Sequence, residues 1–441
     1  MIECTLASSK RQTAFGPLCA LGHFLRTQKV LEPLSEVQIA QKSVVHSPQE
    51  KLLDALMGIL TGCAALYEIN VRVRPDLPLQ RAFGRERSAE QSTIQKTLNS
   101  FTHENIDQLR RAIESIHWRH SRLSSHNYYE GEMLVLEVDL TGLRASRRAE
   151  HSTKGYFSGK RNATGRQLVR VSTPNYGEVL FEKLYAGNTN SCEVLKETFK
   201  EVERILGLAE EREKRGRVLV RLDGGFGTDH NLNWLIWRGY HFVCKGYGGR
   251  RAKNLARGVV EEDWREGPTE GQQLGVPIVA HRYARKTKTV VRRWFDQKGK
   301  LHTDYLVSTL FELPPEQIAK LYDARGGMEA DIKGDKRGLG IEKRRKKNFH
   351  AQEALVLLAQ LAHNLIVWFK EWFLAGTQAA KLGVERLLRD VLAMPAEVRA
   401  RMGSKKLWLK LPILHPWAKA VAEGIGARFP RNGWRTTWRK I

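Results

Sequence analysis

The chain has 441 residues, and its 73 Lys and Arg against 48 Asp and Glu give a formal net charge of +25. Hydrophobic residues make up 41% and charged residues 27%. That is enough apolar side chain for sizeable cores in about two to four domains, and it excludes a disordered tail. A surplus of positive charge repels itself in an ordinary metabolic enzyme and suits a polyanionic partner, nucleic acid or an acidic membrane.

The five cysteines, Cys4, Cys19, Cys63, Cys192 and Cys244, are too scattered for a zinc site, and their sparseness fits a reducing compartment. The longest apolar run, residues 354–369, is interrupted by Gln360, His363 and Asn364. It is shorter than the ~20 residues a membrane span needs and reads as a buried helix. Residues 13–25 are weakly signal-like but broken by Pro17, Gly22 and His23, with no cleavage pattern after them. The expectation is a soluble, cytoplasmic protein without a membrane partner.

Residues 1–130 read as helical. Leu52, Leu56, Ile59, Cys63 and Leu66 recur at helical spacing. Ser88 with Gln91 three residues later predicts a capping box opening a helix with Ile94, Leu98 and Phe101 on one side. Ile106, Leu109, Ile113 and Ile116 continue in another. Helix, turn, helix is the outline of a DNA reader, and equally that of an ordinary bundle or dimer face. From residue 131 the pattern changes. Strands are predicted at 133–140, at 167–172 and 177–185 as a hairpin, at 217–222 and at 240–245, with helices at 191–208 and 230–238. That order gives a mixed sheet with helices on its faces, an α/β domain. Residues 246–312 read as a β-rich insertion with strand-like pieces at 276–283, 289–295 and 304–310. Helix returns at 315–323 and 349–372. The expected divisions are 1–130, 131–245, 246–312, 313–375 and a basic C-terminal region, 376–441.

Basic residues cluster in four places. Residues 245–257 hold five and no acid. Residues 282–300 hold eight and one acid, with Tyr283, Trp294 and Phe295 interleaved, and residues 333–347 hold eight and two acids. The last 41 residues hold ten, one acid and four Trp: Trp408, Trp417, Trp434 and Trp438. A single charge run is usually a solvated face. Four, two of them with aromatics, favour nucleic acid, because cations neutralise phosphates and aromatic rings stack on bases.

Three carboxylates stand out. Asp139 closes an apolar run, where a carboxylate costs free energy unless paired or bound to a cation. Asp223 ends a second run and is followed by Gly224 and Gly225, which let another backbone, a metal or a phosphate come close. Singly, each Asp is better explained as a turn or helix-cap residue. Glu329 comes with company: Tyr322, Arg325, Glu329 and Lys336 sit at about 0°, −60°, −20° and −40° around an unbroken helix. Gly326 and Gly327 weaken that helix by roughly 1 kcal/mol each. A surface helix with an Arg325–Glu329 pair has the same spacing.

Strand Asp139, strand Asp223 and helix Glu329, with Tyr322, Arg325 and Lys336 at these spacings, resemble the DDE transposases of bacterial insertion sequences. The likeness is to the branch with a Tyr-Arg-Glu-Lys signature and a β-rich insertion before the Glu, and it covers roughly residues 130–375. It implies an RNase H-like (retroviral-integrase-like) catalytic core with a helical N-terminal DNA-binding domain and a basic helical C-terminal region. It also implies two Mg²⁺ ions, replaceable by Mn²⁺, held by Asp139, Asp223 and Glu329, and cut-and-paste DNA transposition. In that chemistry water first frees a 3′-hydroxyl at the transposon end, and the hydroxyl then attacks target DNA. Close carboxylates repel, and two divalent ions offset that charge while clamping the attacking and leaving oxygens. Tyr322, Arg325 and Lys336 would hold end phosphates. Trp294 would stack on a flipped base, or else pack the insertion against the catalytic sheet; Trp264, among acids, is the weaker candidate. The implied partners are double-stranded DNA, both terminal inverted repeats and target, and a second protomer in a synaptic dimer, in the bacterial cytoplasm at the nucleoid. Asp331 and Asp335 are expected to face away from Glu329. A DNA-binding protein of the same fold without catalysis, and a related nuclease, are the other classes.

Overall fold

The computed structural model describes residues 10–41, 45–157, 163–278 and 282–428. In chain order the main elements begin with helices α1 (Gly16–Thr27), α2 (Pro48–Leu60), α3 (Gln91–Asn99) and α4 (His103–His120). Strands β1 (Leu134–Arg144), β2 (Thr164–Thr173) and β3 (Glu178–Ala186) follow. Then come α5 (Ser191–Ile205), β4 (Val218–Leu222), α6 (Asp229–Arg238), β5 (His241–Lys245) and α7 (Gly249–Arg257). Next come β6 (Gln272–Gly275), β7 (Lys288–Phe295), β8 (Leu301–Ser308), α8 (Pro315–Asp323), α9 (Gly326–Gly338) and α10 (Phe349–Phe373).

The chain forms two compact units. One holds residues 1–121, 148–150 and 331–441, and the other 122–147 and 151–330, so the division falls inside α9. These limits differ from the divisions drawn from sequence. Residues 349–373, assigned there to the catalytic core, lie with the N-terminal helices.

In the helical unit, α10 packs against α2, α3 and α4. It is long and apolar enough to cross a membrane, but 94% of its most apolar window is buried inside the protein. α4 buries Ile106, Leu109, Ile113 and Ile116 and ties Arg110 to Glu353 on α10 at 2.7 Å. This side of α4 is a bundle face. The capping box expected at Ser88 and Gln91 does not form: Glu90 is the N-cap of α3, without a side-chain bond, and the Ser88 amide donates to Gln80 Oε1. Thr102 and Asn105 make the box instead, opening α4. Trp408 and Trp417 belong to this unit; Trp434 and Trp438 lie outside the described residues.

The second unit is α/β. Its ten-stranded mixed sheet runs β3-β2-β1-β4-β5-β8-β7-β6, with short strands Thr153–Lys154 and Arg265–Glu266 added at β2 and β6. β1, β4 and β5 are parallel; the other pairings are antiparallel. The β-rich segment between residues 246 and 312 is therefore no separate body: β8 bonds to β5, pairing Leu306 with Lys245, and the same sheet continues. Of its first expected strand, 276–283, residues 279–281 lie outside the described residues and the others are not strand: β6 ends at Gly275, and residues 249–257 are helical.

Period-two alternation sorts the strands' side chains onto two faces. Leu134, Leu136 and Val138 of β1, with Val218, Val220 and Leu222 of β4, enter the core beneath α5 and α6, against Leu195, Phe199, Leu232 and Leu235. The opposite face carries Val135 and Leu219, which pack with Ile318, Ala319 and Tyr322 of α8. The candidate acids lie on this second face.

Candidate functional site

β1 does not end at Asp139, as its apolar run suggested, but continues to Arg144. Three successive residue pairs on the α8 face of β1 and β4 explain the site. Val135 is paired with Leu219, and Glu137 with Arg221. Val138 pairs with Leu222, which brings the next residues, Asp139 and Asp223, side by side on strands spaced about 4.8 Å apart. Arg170 of β2 stands opposite Asp139, and Glu182 of β3 opposite Arg170. A row of charges, Glu182, Arg170, Asp139 and Asp223, thus crosses four strands. Arg170 Nε donates to Glu182 at 2.5 Å, and Arg221 is 2.6 Å from Glu137.

Arg325 covers the acids. Its Nη2 donates to Asp139 Oδ1 at 2.7 Å and to the Val138 carbonyl at 3.2 Å. Its Nη1 donates to Glu329 Oε1 at 3.2 Å. The Arg325 side chain is 5% exposed and that of Glu329 70%, so this is not the surface pair that i,i+4 spacing alone allows. Burial lowers the proton affinity of Arg325, but the carboxylates of Asp139 and Asp223 more than reverse it, and its pKa is raised. Asp223 is shifted up, first by burial. Arg325 opposes that shift, Asp139 adds to it, and the Gly225 and Phe226 amides oppose it. Gly227, further along this loop, packs so tightly that an added Cβ would lie 2.2 Å from the Lys245 carbonyl.

The single helical stripe does not exist. α8 stops at Asp323 and α9 starts at Gly326. Tyr322 is in the last turn of one helix, Arg325 lies in the break, and Glu329 is in the first turn of the next. The break aims Arg325 into the sheet, where an unbroken helix would have left it in line with Glu329. Lys336 is in the last turn of α9, in the helical unit. Asp335, too, lies there, fully buried against His363 Nδ1 at 2.9 Å.

Tyr322 is fixed by a second buried network that the sequence reading missed. The Arg292 guanidinium sits 4.8 Å from the Tyr322 ring centre. It donates to both Asp304 oxygens, at 2.7 and 2.8 Å, and to Asp323 at 2.8 Å. Lys245 Nζ is 3.0 Å from Asp304. Burial pushes the Tyr322 hydroxyl pKa upward, against Arg325 and Arg292. Glu137 and Arg221, a separate buried pair also missed, did carry a signal: each stands two residues before an acid, hence on its face of the sheet.

A family model for the group 1 transposase DDE domain matches residues 23–428. The chain belongs to this family. It is a DNA transposase, an enzyme that cuts and transfers DNA strands. No curated protein matches it. Among solved structures, a piggyBac transposase synaptic complex with hairpin DNA aligns at 13% identity and a TM-score of 0.48, over 96% of this chain and 83% of that one.

DDE transposases depend on divalent metal. Among the described residues of this transposase, no three His, Cys, Asp or Glu side chains converge closely enough to hold an ion. Glu329 is turned to Arg325, and the guanidinium supplies the positive charge beside Asp139. The donor chemistry nevertheless fits: all three groups are carboxylates, the oxygen ligands hard divalent cations take. Arg325 Nε is also buried without an acceptor, so its position is not held by every donor it has.

Trp294 is half-buried in β7. Its ring stacks on His302 of the neighbouring strand, with centres 5.7 Å apart and planes at 17°. Since β7 is part of the main sheet, Trp294 is not packing a separate insertion onto it. The face of Trp264 is covered by the Arg293 guanidinium, 4.0 Å from the ring centre.

Proposed function

We propose that this transposase performs metal-dependent cut-and-paste transposition, as in bacterial insertion sequences, with Asp139, Asp223 and Glu329 as its catalytic carboxylates. The observation that carries the reading is the pairing of Val138 with Leu222 on adjacent parallel strands, which sets Asp139 beside Asp223, the residue just past the end of β4, beneath a guanidinium that also holds Glu329. The order β3-β2-β1-β4-β5, antiparallel in its first three strands and parallel in its last, supports an RNase H-like core.

Asp139, Asp223 and Glu329 would hold two Mg²⁺ ions, with Mn²⁺ able to substitute. Bound there, the metals supply activation of the attacking oxygen and charge stabilisation of the leaving one. Asp139 is held by the sheet, and Asp223 follows the last residue of β4, with its side chain accepting from the Gly225 amide. Glu329 is solvent-facing and has to leave Arg325 to join them. Arg325 then turns from counter-ion to phosphate ligand, a role suited to its forked donors. Tyr322, Lys336 and Trp294 are the further candidate DNA contacts. The DNA is double-stranded, terminal inverted repeats and target alike, and holding two ends at once calls for a dimer in the synaptic complex.

The test is cleavage of transposon-end duplex in Mg²⁺ by Asp139→Asn, Asp223→Asn and Glu329→Gln. Each removes a charge at nearly constant size and is expected to reduce nicking by at least a hundredfold, about 3 kcal/mol of barrier. A variant that nicks near the wild-type rate excludes its residue from the triad.

A further inference from the structure

Helix α7 follows β5 directly, and the turn between them is bound to the loop that carries Asp223. Cys244 Sγ contacts the Asp223 carbonyl at 3.6 Å, and the Tyr247 amide donates to Gly227 O at 3.2 Å. The helix is two-sided. Ala252 is buried, and Leu255 and Ala256 pack against the core with Val259 beyond them. Arg250, Lys253 and Arg257 are exposed on the other side. Their spacings of three and four place them within a stripe about 60° wide and about 10 Å long.

What separates this stripe from an ordinary solvated face is its charge balance. Three cations of this region are matched: Arg251 and Arg282 both pair with Asp229, at 2.6 and 2.7 Å, and Arg293 pairs with Glu261 at 2.7 Å. Among the described residues, Arg250, Lys253 and Arg257 form no ion pair, and no acid occurs between residues 245 and 257. The first turn of α7 holds two arginines and no acid, the reverse of what the helix dipole favours. The dipole favours Arg257, in the last turn, but does not account for Arg250 at the start of the helix.

We propose that the exposed face of α7 is a docking surface for the phosphate backbone of duplex DNA, alongside the strand being cut. The proposal rests on the transposase reading above and adds a binding surface to it. Each strand carries one phosphate per about 3.4 Å of duplex axis, so three cations over about 10 Å can face a short run of them. Contacts of this kind position the duplex and carry no base readout.

The experiment measures the binding of the full-length protein to two duplexes of unrelated sequence over about 50–200 mM salt. Wild type is compared with R250Q/K253Q/R257Q. The triple variant is expected to bind both duplexes more weakly by the same factor. Its log–log salt slope should be shallower by about two to three, near 0.9 per lost phosphate contact. Its melting temperature should match wild type, since these side chains are exposed and, among the described residues, form no ion pair. An unchanged slope overturns the proposal, and a loss confined to one sequence overturns the backbone reading. If the triple variant misfolds, Lys253→Glu is expected to weaken binding further than Lys253→Gln, with R250K/R257K keeping the wild-type slope; the absence of both effects overturns it equally. A wild-type protein that binds neither duplex refutes the DNA-binding reading itself, a result distinct from a failure confined to α7.

Discussion

Asp139 on β1 and Asp223, one residue past the end of β4, bring two carboxylates side by side, and Arg325 is the cation facing them, at 2.7 Å from Asp139. Removing one partner of a buried ion pair leaves the other uncompensated. Arg325→Gln is therefore expected to cost the metal-free protein about 3 kcal/mol. Calcium should then stabilise the variant more than wild type, because the added cation takes over the missing charge. Thermal melts with and without calcium read this directly, and equal melting of the two proteins would show that Arg325 is not the counter-ion. At Trp294 the ring already stacks on His302, so a flipped base would have to extend or replace that stack. Aromatic stacking contributes about 1–3 kcal/mol per base. Trp294→Ala is expected to slow the release of flanking DNA more than the first nick, with an abasic site at the flipped position partly restoring release. A defect already complete at the nick, or a large loss of thermal stability, would assign Trp294 to packing.

At the scale of elements, the β7–β8 hairpin is joined to α8 through Arg292, which meets Asp304 across the strand pair, Asp323 at the helix end and the Tyr322 ring. Asp304→Asn would leave Arg292 buried without its main counter-charge, at a cost of about 3–5 kcal/mol. The pH dependence has a definite sign. Burial acts to raise the Asp304 carboxyl, but Arg292 and Lys245 outweigh it and hold its pKa below the usual value. A depressed folded-state pKa gives stability that is present above the unfolded value of about 3.9 and is lost as pH falls through the folded one. Urea unfolding from about pH 7 down to pH 3 should show wild type and Asp304→Asn separated at neutral pH and converging at the acid end. A gap that persists undiminished in acid would mean that the carboxylate charge is not what stabilises the hairpin.

For the whole molecule, the +25 charge makes binding to a polyanion salt-dependent. With about 6–10 phosphate contacts, affinity should fall roughly 10³–10⁵-fold between 50 and 200 mM salt. A dissociation constant that barely moves over this range would contradict the nucleic-acid reading of the charge. The fraction of cations available is smaller than composition suggests, because several are already matched inside the protein. Arg170, Arg221, Arg292 and Arg325 are all buried against carboxylates. Exposed groups such as Arg250, Lys253 and Arg257 are the ones able to contribute to the salt slope.

The sequence by itself determined the elements built on local periodicity. Asp139 on a strand and Asp223 just past the end of another, the hairpin of β2 and β3, helices α5 and α6, and the buried helix expected at 349–372 follow from alternation and helical spacing, which a chain carries without its partners. The signature spacing likewise marked Tyr322, Arg325, Glu329 and Lys336. Only the tertiary structure decided that β6, β7 and β8 extend the main sheet, because pairing between strands as distant as Lys245 and Leu306 leaves no local trace. It also decided that the signature helix breaks between Asp323 and Gly326, since two successive glycines permit a break without requiring one. Whether Arg325 faced solvent or the acids depended on that break. The side-by-side placement of Asp139 and Asp223 depended on strand register, which is set by the two packed faces of the whole sheet rather than by either strand alone.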